Sequence, residues 1–408
     1  MSELTLRDAT HDDAEALAKM AHRAFRIGDG TGWGPYFRDN PHVRDGHTVL
    51  AHVDEDHAGN ATALDLRMSI RGRDLTIAGV AAVATAPEFR RRGVAQAMLR
   101  ALLHRAREVG TPWAMLYGIS LAFYRKLGFG LAEHDALLVA RGAQFPASPT
   151  YRAVRPWDRA RDEAGVRAVY ESQREGTTGQ LVRGDYWWTQ RVIREGVEGV
   201  VVREGGEVTG YALFEVPQEP EYPQQRVMIT ELRAATPFAW RALLGWADTL
   251  RNQYVEIRLL TAPGTALALL REHGVRDLDI DCAATADPFG LACAGVMARV
   301  ADLDAAVRAH AYEGASRAVP LRVHDPLDGV PQDLDLIAEG EGLRVETSRA
   351  GGERLSVPVD ALSTVILGAT RAETLRAMGL LEGAAQHARA LDALFPPTEV
   401  HLGQRNHF

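Results

Sequence analysis

Residues 90–96 read Arg90-Arg91-Arg92-Gly93-Val94-Ala95-Gln96, and only Pro87-Glu88-Phe89 separates them from the apolar run Val80 to Ala86. A strand that empties into a basic, glycine-bearing turn and then into a helix makes an anion cradle. The first turn of a helix carries amide groups without partners, and the macrodipole adds partial positive charge there. A phosphate fits such a place. The arginines add full charges, and Gly93 lets a ligand come close to the backbone. Runs of arginine are common on solvated surfaces; the position between strand and helix is what points to a ligand here. No Walker Lys-Ser/Thr pair and no GxGxxG accompany the turn, which argues against a nucleoside triphosphate with Mg²⁺ and against a dinucleotide.

The flanking segments have the pattern needed to hold this turn. Val94, Ala95, Met98, Leu99, Leu102, Leu103 and Ala106 form one helix face, Arg100, Arg107 and Glu108 the other, and Gly110 ends the helix. Upstream, residues 3–7 predict a strand, and Thr10 with Asp13 opens a helix to about Phe25. Strands are expected over 47–53, 60–70 and 74–85, with a turn at Arg71-Gly72-Arg73, then over 113–117 and 129–140. The stretch from Gly28 to Phe37 holds so many glycines that a loop carrying large aromatics is expected, not a helix.

The turn Arg90-Arg91-Arg92-Gly93-Val94-Ala95 resembles the acetyl-CoA signature Arg/Gln-x-x-Gly-x-Gly/Ala of the GNAT acyltransferases. The run Leu121 to Gly130, with Tyr124 and the step Gly128-Phe129, is similar to that family's closing segment. The length of 408 residues and the terminal Phe408 narrow the resemblance to the Eis (enhanced intracellular survival) type. Thr230-Glu231-Leu232-Arg233-Ala234 and Leu367-Gly368-Ala369-Thr370-Arg371-Ala372 look like the same type. The resemblance implies an α/β (α+β) chain: two GNAT-like mixed-sheet domains in tandem, then a sterol-carrier-like α+β domain. The implied boundaries are 1–145 for the acetyl-CoA-binding catalytic domain, 146–288 for a degenerate GNAT-like domain, and 289–408 for the sterol-carrier-like domain.

Site residues follow from the same resemblance. The cosubstrate acetyl-CoA would lie along Val83, Ala84 and Thr85, with its pyrophosphate on the amides of Arg91, Arg92, Gly93, Val94, Ala95 and Gln96. Ile119 and Ser120 would stand near its arm, although family members often have Ser-Glu there. Tyr124 would donate a proton to the departing sulfur; a phenol with a pKa of about 10 is protonated at neutral pH. The α-carboxylate of Phe408 would act as base, with His401 and His407 as alternatives. Asp29, Trp33, Tyr36 and Phe37 are the acceptor-pocket candidates, an alternative being that the aromatics only anchor their segment. No metal is expected.

The rest of the chain agrees with a repeat. A helix from Asp158 to Gln173, strands over 198–204, 208–216 and 227–236, and a helix from Phe238 to Leu250 echo the first part. Where the first copy has its basic turn, the second has Phe238-Ala239-Trp240-Arg241-Ala242, so no CoA site is expected there. Beyond Pro288 a strand is expected over 292–300 and a helix over 302–311. Four strands should follow between 319 and 359, then a helix capped by Asp360 and another over 371–379.

Composition sets the outer limits. Hydrophobic content of 46% with 25% charged residues is that of a globular protein. A net charge of −8 argues against nucleic acid and favours a cationic acceptor. No apolar run reaches membrane-spanning length. Cys282 and Cys293 form no CxxC pair and are read as reduced thiols, consistent with a cytoplasmic location. The expected reaction is acetyl transfer to a primary amine of a polycation such as an aminoglycoside. A lysine acetyltransferase, or a non-catalytic CoA- or lipid-binding module, is the alternative. Family members are homohexamers, and the resemblance extends that expectation to this chain.

Overall fold

The computed structural model describes residues 3–26, 29–141, 145, 147–217, 224–262, 290–312, 314–348 and 351–408. Gly28, much of the 142–150 linker, Cys282 and Pro288 lie outside them. The chain forms two compact units. One holds residues 1–132, 296–398 and Phe408; the other holds 133–295 and 399–407.

In chain order the main elements begin with β1 (Leu4–Asp8), α1 (Ala14–Phe25), α2 (Trp33–Asp39), β2 (Thr48–Val53), β3 (Asp56–Ile70) and β4 (Arg73–Thr85). Next come α3 (Val94–Glu108), β5 (Trp113–Tyr117), α4 (Leu121–Arg125), β6 (Gly130–Leu131), β7 (His134–Ala140) and β8 (Arg155–Pro156). The middle holds α5 (Arg159–Arg174), α6 (Asp185–Trp187), β9 (Glu198–Glu204), β10 (Glu207–Glu215), β11 (Arg226–Ala234), α7 (Pro237–Thr249), β12 (Glu256–Thr261) and β13 (Gly290–Ala294). The last part holds β14 (Val296–Val300), α8 (Leu303–Arg308), β15 (Arg317–His324), β16 (Gln332–Glu339), β17 (Gly342–Thr347) and β18 (Leu355–Pro358). It closes with α9 (Val359–Leu367), α10 (Ala372–Ala377) and α11 (Ala385–Leu394).

In the first unit a seven-stranded sheet has the order β1-β2-β3-β4-β5-β14-β6. β1 to β4 are antiparallel, and β4 and β5 are parallel with α3 as the crossover. Alternation along β2 sets the two faces. Val49 and Ala51 pack with Val94, Met98 and Leu102 of α3, whereas Leu50 packs with Leu17 and Ala21 of α1 and Phe37 of α2. Leu99 and Leu103 of α3 continue the first layer to Leu116, Tyr124, Phe129 and Met297. A four-stranded sheet, β17-β16-β15-β18, with α8 to α11 completes this unit. Within it the fully buried Arg299 of β14 donates to both oxygens of Asp325 (2.8 and 2.6 Å) and to the carbonyl of Leu127 (2.6 Å).

The second unit has a seven-stranded sheet of order β13-β7-β12-β11-β10-β9-β8. Val200, Val202, Ala212, Phe214, Val227 and Ile229 pack there against Ala239, Leu243 and Ala247 of α7. Asp158 caps α5 by accepting from the amide of Arg161 (3.1 Å).

Three expectations need correction. Trp33–Asp39 is helical: Pro35 falls in the first turn, where its missing N–H has no intrahelical partner to lose. The stretches 129–140 and 292–300 are not single strands. Each breaks and changes sheet, with β6 and β14 in the first and β7 and β13 in the second. Hydrophobic periodicity does not record a change of partner strand. Finally, Pro358 takes the N-cap position of α9 and Asp360 is its second residue, while α11 was not anticipated.

Candidate active site

The site of interest lies in the first unit, where β4 leaves β5. The two strands pair at Ile77–Trp113, Ala78–Ala114 and Gly79–Met115 only. β4 then runs on to Thr85 with no strand on that side among the described residues, while its other edge stays paired to β3 at Asn60–Ala84 and Gly59–Thr85. A bulge accompanies the opening: the register slips between Asn60 and Thr62, and Ala82 has φ +50°. A non-glycine residue in the left-handed region is costly and persists only where neighbours hold it. Asn60, wholly buried, donates from Nδ2 to the carbonyl of Ala82 (3.0 Å). Val83, Ala84 and Thr85 therefore lie along an edge able to accept an extended, amide-bearing arm.

Past Thr85 come Ala86 and a short 3₁₀ turn, then the basic residues. Arg90, Arg91 and Arg92 are exposed, and Arg92 stacks its guanidinium on Phe89 at 5.4 Å. Arg91 (φ +61°) and Gly93 (φ +83°) turn the chain into α3. The N-cap is Gly93, with no side chain to cap the helix. The amides of Arg91 to Gln96 have no protein acceptor among the described residues, and nothing lies within 4 Å of where a Cβ on Gly93 would stand. Free donors in open space at the positive end of a 15-residue helix suit a pyrophosphate. The residues present thus fit the diphosphate of a coenzyme.

Tyr124 stands on α4. It is 7% exposed and packs edge-on to Phe123 and Phe129, in one layer with Val80 and the half-buried Val83. Its hydroxyl makes no hydrogen bond among the described residues, and burial raises its pKa above 10. The turn that ends α4 explains Gly128. Its φ is +82°, and a Cβ there would collide with the Arg299 guanidinium. Ser120 heads α4, its carbonyl accepting from the amide of Phe123 (3.1 Å), and Ile119 beside it is 96% exposed.

Phe408 belongs to this unit as well. Its ring packs against Gly79, where a Cβ would lie 3.2 Å away, and edge-on to Tyr117 at 5.6 Å. Gly79 is the last residue of β4 paired to β5, so the terminal aromatic sits at the root of the fork. Neither Gly79 nor Tyr117 was singled out in the sequence; a glycine in an apolar strand signals close approach by something else. Asn60 was also missed, although a strand-averse residue inside an apolar run was the available signal.

The pocket candidates divide. Trp33, Tyr36 and Phe37 form an aromatic cluster with Phe25, with centroids 5.0 to 6.2 Å apart, and pack in one layer with the bulge residue Ala82. Asp29 is exposed and folds back on Thr31, accepting from its hydroxyl (2.7 Å) and amide (3.0 Å), which holds its carboxyl below the usual range. His401 and His407 lie in the second unit. His407 is pushed down to about 4 by burial.

A forked parallel strand pair, an uncapped helix behind a basic turn, and a buried phenol in the layer packed on β4 fit an acetyltransferase of the GNAT fold. Residues 5–132 match the acetyltransferase (GNAT) domain family, residues 179–276 a second acetyltransferase (GNAT) domain family, and residues 303–403 the sterol carrier protein domain family. The N-acetyltransferase Eis of Mycobacterium tuberculosis is 28% identical over 96% of this chain and 96% of its own. A GCN5-related N-acetyltransferase from Anabaena variabilis has the same fold, with a TM-score of 0.82 at 17% identity over the whole of both chains. Eis1 from Mycobacterium abscessus has a TM-score of 0.74 at 21% identity, again over both whole chains. Over nearly its whole length the chain is thus similar to the Eis-type N-acetyltransferases, and it carries two acetyltransferase (GNAT) domains followed by a sterol carrier protein domain. GNAT acetyltransferases use acetyl-CoA as acyl donor. Among the described residues no helix is long and apolar enough to cross a membrane.

Proposed function

We propose that this N-acetyltransferase moves the acetyl group of acetyl-CoA directly to a primary amine of a polycationic small molecule such as an aminoglycoside. The chemistry would take place in the segment 1–145, with Phe408 contributed by the segment 289–408, and the segment 146–288 would bind no CoA. The observation that carries the reading is the opening of β4 from β5 just ahead of the uncapped amides of Arg91 to Gln96, in the unit that also holds the buried Tyr124.

In this reading the amides of Arg91 to Gln96 hold the pyrophosphate. The β4 edge at Val83 to Thr85 aligns the arm, passing Ile119 and Ser120. A β4 amide near Val83 faces the oxygen that becomes negative as the amine nitrogen attacks the thioester carbon. The carbon–sulfur bond then breaks, and the Tyr124 hydroxyl protonates the sulfur. Before the attack the Phe408 carboxylate orients the ammonium and accepts one proton, so that the neutral amine attacks; the second proton, lost by the nitrogen as the intermediate collapses, restores the Tyr124 phenol. An α-carboxyl has a pKa near 3.5 in water, so as a base it depends on desolvation. Asp29, Trp33, Tyr36 and Phe37 would line the acceptor side, and the −8 net charge draws cations toward the surface.

The test is release of free thiol from acetyl-CoA across aminoglycosides, polyamines and lysine-containing peptides. Preferred turnover of a polycationic small molecule is expected. Turnover confined to peptides replaces the acceptor with protein lysine, and no thiol release with any amine overturns the proposal.

A further inference from the structure

The second unit holds a cluster of metal-ligating residue types outside the acetyl-transfer site. Glu133 and Asp135 flank His134, the first residue of β7, and residues two apart on extended backbone share a face. Glu133 is wholly buried and Asp135 is 3% exposed, whereas His134 between them faces solvent. His401, in the same unit, brings Nδ1 to 3.3 Å from Glu133 Oε1 and 3.3 Å from Asp135 Oδ1. The three donor atoms all lie within 4.8 Å of one another. Backbone bonds fix the donors from both sides. The His401 amide donates to the carbonyl of Thr178 (2.9 Å), Gln180 donates from Nε2 to the His401 carbonyl (2.5 Å), and the Leu402 amide donates to Glu133 Oε1 (2.5 Å). Asp135 is held by its pairing with Cys293 of β13. Gly295 leaves room for Glu133, since a Cβ there would stand 2.5 Å from Oε2. Asp135 Oδ1 is buried, faces His401, and makes no well-formed hydrogen bond among the described residues.

This arrangement matches a proton poorly and a divalent ion well. A separation of 3.3 Å exceeds the roughly 2.7–2.9 Å of a good charge-assisted bond. One imidazolium also leaves one of two buried carboxylates without a countercharge, and a buried charge needs a partner. Burial accordingly holds Asp135 above the usual carboxylate range, against the pull of His401 and with Glu133 adding to the rise. Four-coordinate Zn²⁺, with bonds of about 2.0–2.2 Å, sets neighbouring donors about 3.3–3.6 Å apart. One imidazole nitrogen and two carboxylate oxygens are donors it accepts, and a doubly charged ion neutralises both carboxylates. We propose that Glu133, Asp135 and His401 bind Zn²⁺ or a similar divalent transition-metal ion, with water as fourth ligand, and that the ion clasps residues 399–402 to β7 within the second unit. In the metal-free protein the imidazole carries a proton at this position, and the ion displaces it. A cavity of about 190 Å³ beside His401, bordered also by Gln180, Glu399 and Gly403, gives room for entry. No metal was expected from the sequence, because Glu133-His134-Asp135 is no ligand motif by itself and the third donor lies far along the chain.

The experiment strips the whole chain with a chelator and titrates it with Zn²⁺, Co²⁺ and Mg²⁺ by calorimetry. One Zn²⁺ per chain is expected to bind with a micromolar or tighter Kd, and Co²⁺ is expected to compete for the same place. Mg²⁺, which prefers oxygen donors in an octahedron, is expected to give no saturable heat. Asp135→Asn keeps the size of the side chain and should weaken Zn²⁺ by more than about a hundredfold, beyond the 10–100-fold typical of losing a ligand's own hydrogen-bond partner. Zinc should raise the melting temperature of wild type, reversibly on chelation, and leave that of Asp135→Asn unmoved, since an ion held only by the native state stabilises it. Absence of saturable Zn²⁺ and Co²⁺ binding overturns the proposal. Zinc held with unchanged affinity by Asp135→Asn also overturns it and assigns the ion to other side chains. His401→Gln is the second variant if Asp135→Asn does not fold: loss of the zinc heat supports the proposal, and unchanged heat overturns it. Binding and melting decide the matter whether or not any amine is acetylated.

Discussion

Tyr124 and Gly93 have separable jobs, and single substitutions should separate them. The Tyr124 hydroxyl is held protonated by burial and is engaged by no protein group among the described residues, which leaves its proton for a leaving group. Tyr124→Phe keeps the ring and its packing on Phe123 and Phe129. We expect kcat to fall by roughly a hundredfold or more, the range for losing a general acid, with acetyl-CoA affinity by calorimetry nearly unchanged. Gly93 works through backbone shape. Its φ of +83° is strained for any side chain, at roughly 1–2 kcal/mol. Gly93→Val should therefore weaken acetyl-CoA binding about tenfold, since 1.4 kcal/mol is a factor of ten, and leave kcat at saturation close to wild type. A rise in KM is the readout for Gly93 and a fall in kcat the readout for Tyr124.

The element that matters most is β4, which pairs on both edges and then loses one. Its bulge at Ala82 is held by Asn60. Asn60→Ala leaves the Ala82 carbonyl without that donor and should destabilise the chain by about 1–2 kcal/mol, as for a lost buried hydrogen bond. It should also lower kcat/KM, because the β4 edge beyond the bulge is the edge proposed to align the thioester. Urea melts and initial rates measured together check this, and an unchanged rate would separate the bulge from the chemistry. The basic turn and α3 were legible in the sequence because charge clustering, apolar periodicity and a glycine stop coincide there, whereas α4 was legible only through the resemblance of residues 121–130. The bulge was not, since alternation along residues 74–85 reads the same with or without one extra residue. The helix at Trp33 was hidden by its own glycines and proline. The location of Phe408 came from resemblance and not from residue pattern, because no local signal tells where a terminus packs.

Over the whole molecule, the pH response should carry the mark of the tail. In the second unit His401 lies 3.3 Å from both Glu133 and Asp135, and Glu133 also accepts from the amide of Leu402 (2.5 Å). Burial opposes the imidazolium, but hydrogen bonding to Asp135 and Glu133 outweighs it and pushes His401 up to about 9. A folded-state pKa above the unfolded value of 6.5 gives stability that is complete below pH 6.5 and is lost as pH rises through 9. Thermal melts of metal-free wild type should therefore fall between pH 7 and 10, by an amount on the order of 2–3 kcal/mol. His401→Gln should be less stable at pH 6 and should lose this slope. A variant that keeps the full slope would assign it to another group.

The exchange of strands near residues 133 and 295 has a consequence for anyone who would dissect this polypeptide. Among the described residues, β6 joins its sheet only through β14, and β7 finds its neighbours only in β12 and β13. A gene truncated after codon 145 would encode a fragment that ends in an orphaned ribbon with unsatisfied backbone edges, the sort of surface that seeds aggregation. The segments read as modules on paper, yet β7 of the first pairs in the sheet of β8 to β13, and β14 of the last pairs in the sheet of β1 to β6. Shuffling or recombination at the apparent seam should yield insoluble material, and lineages that inherit this architecture are constrained to inherit it entire.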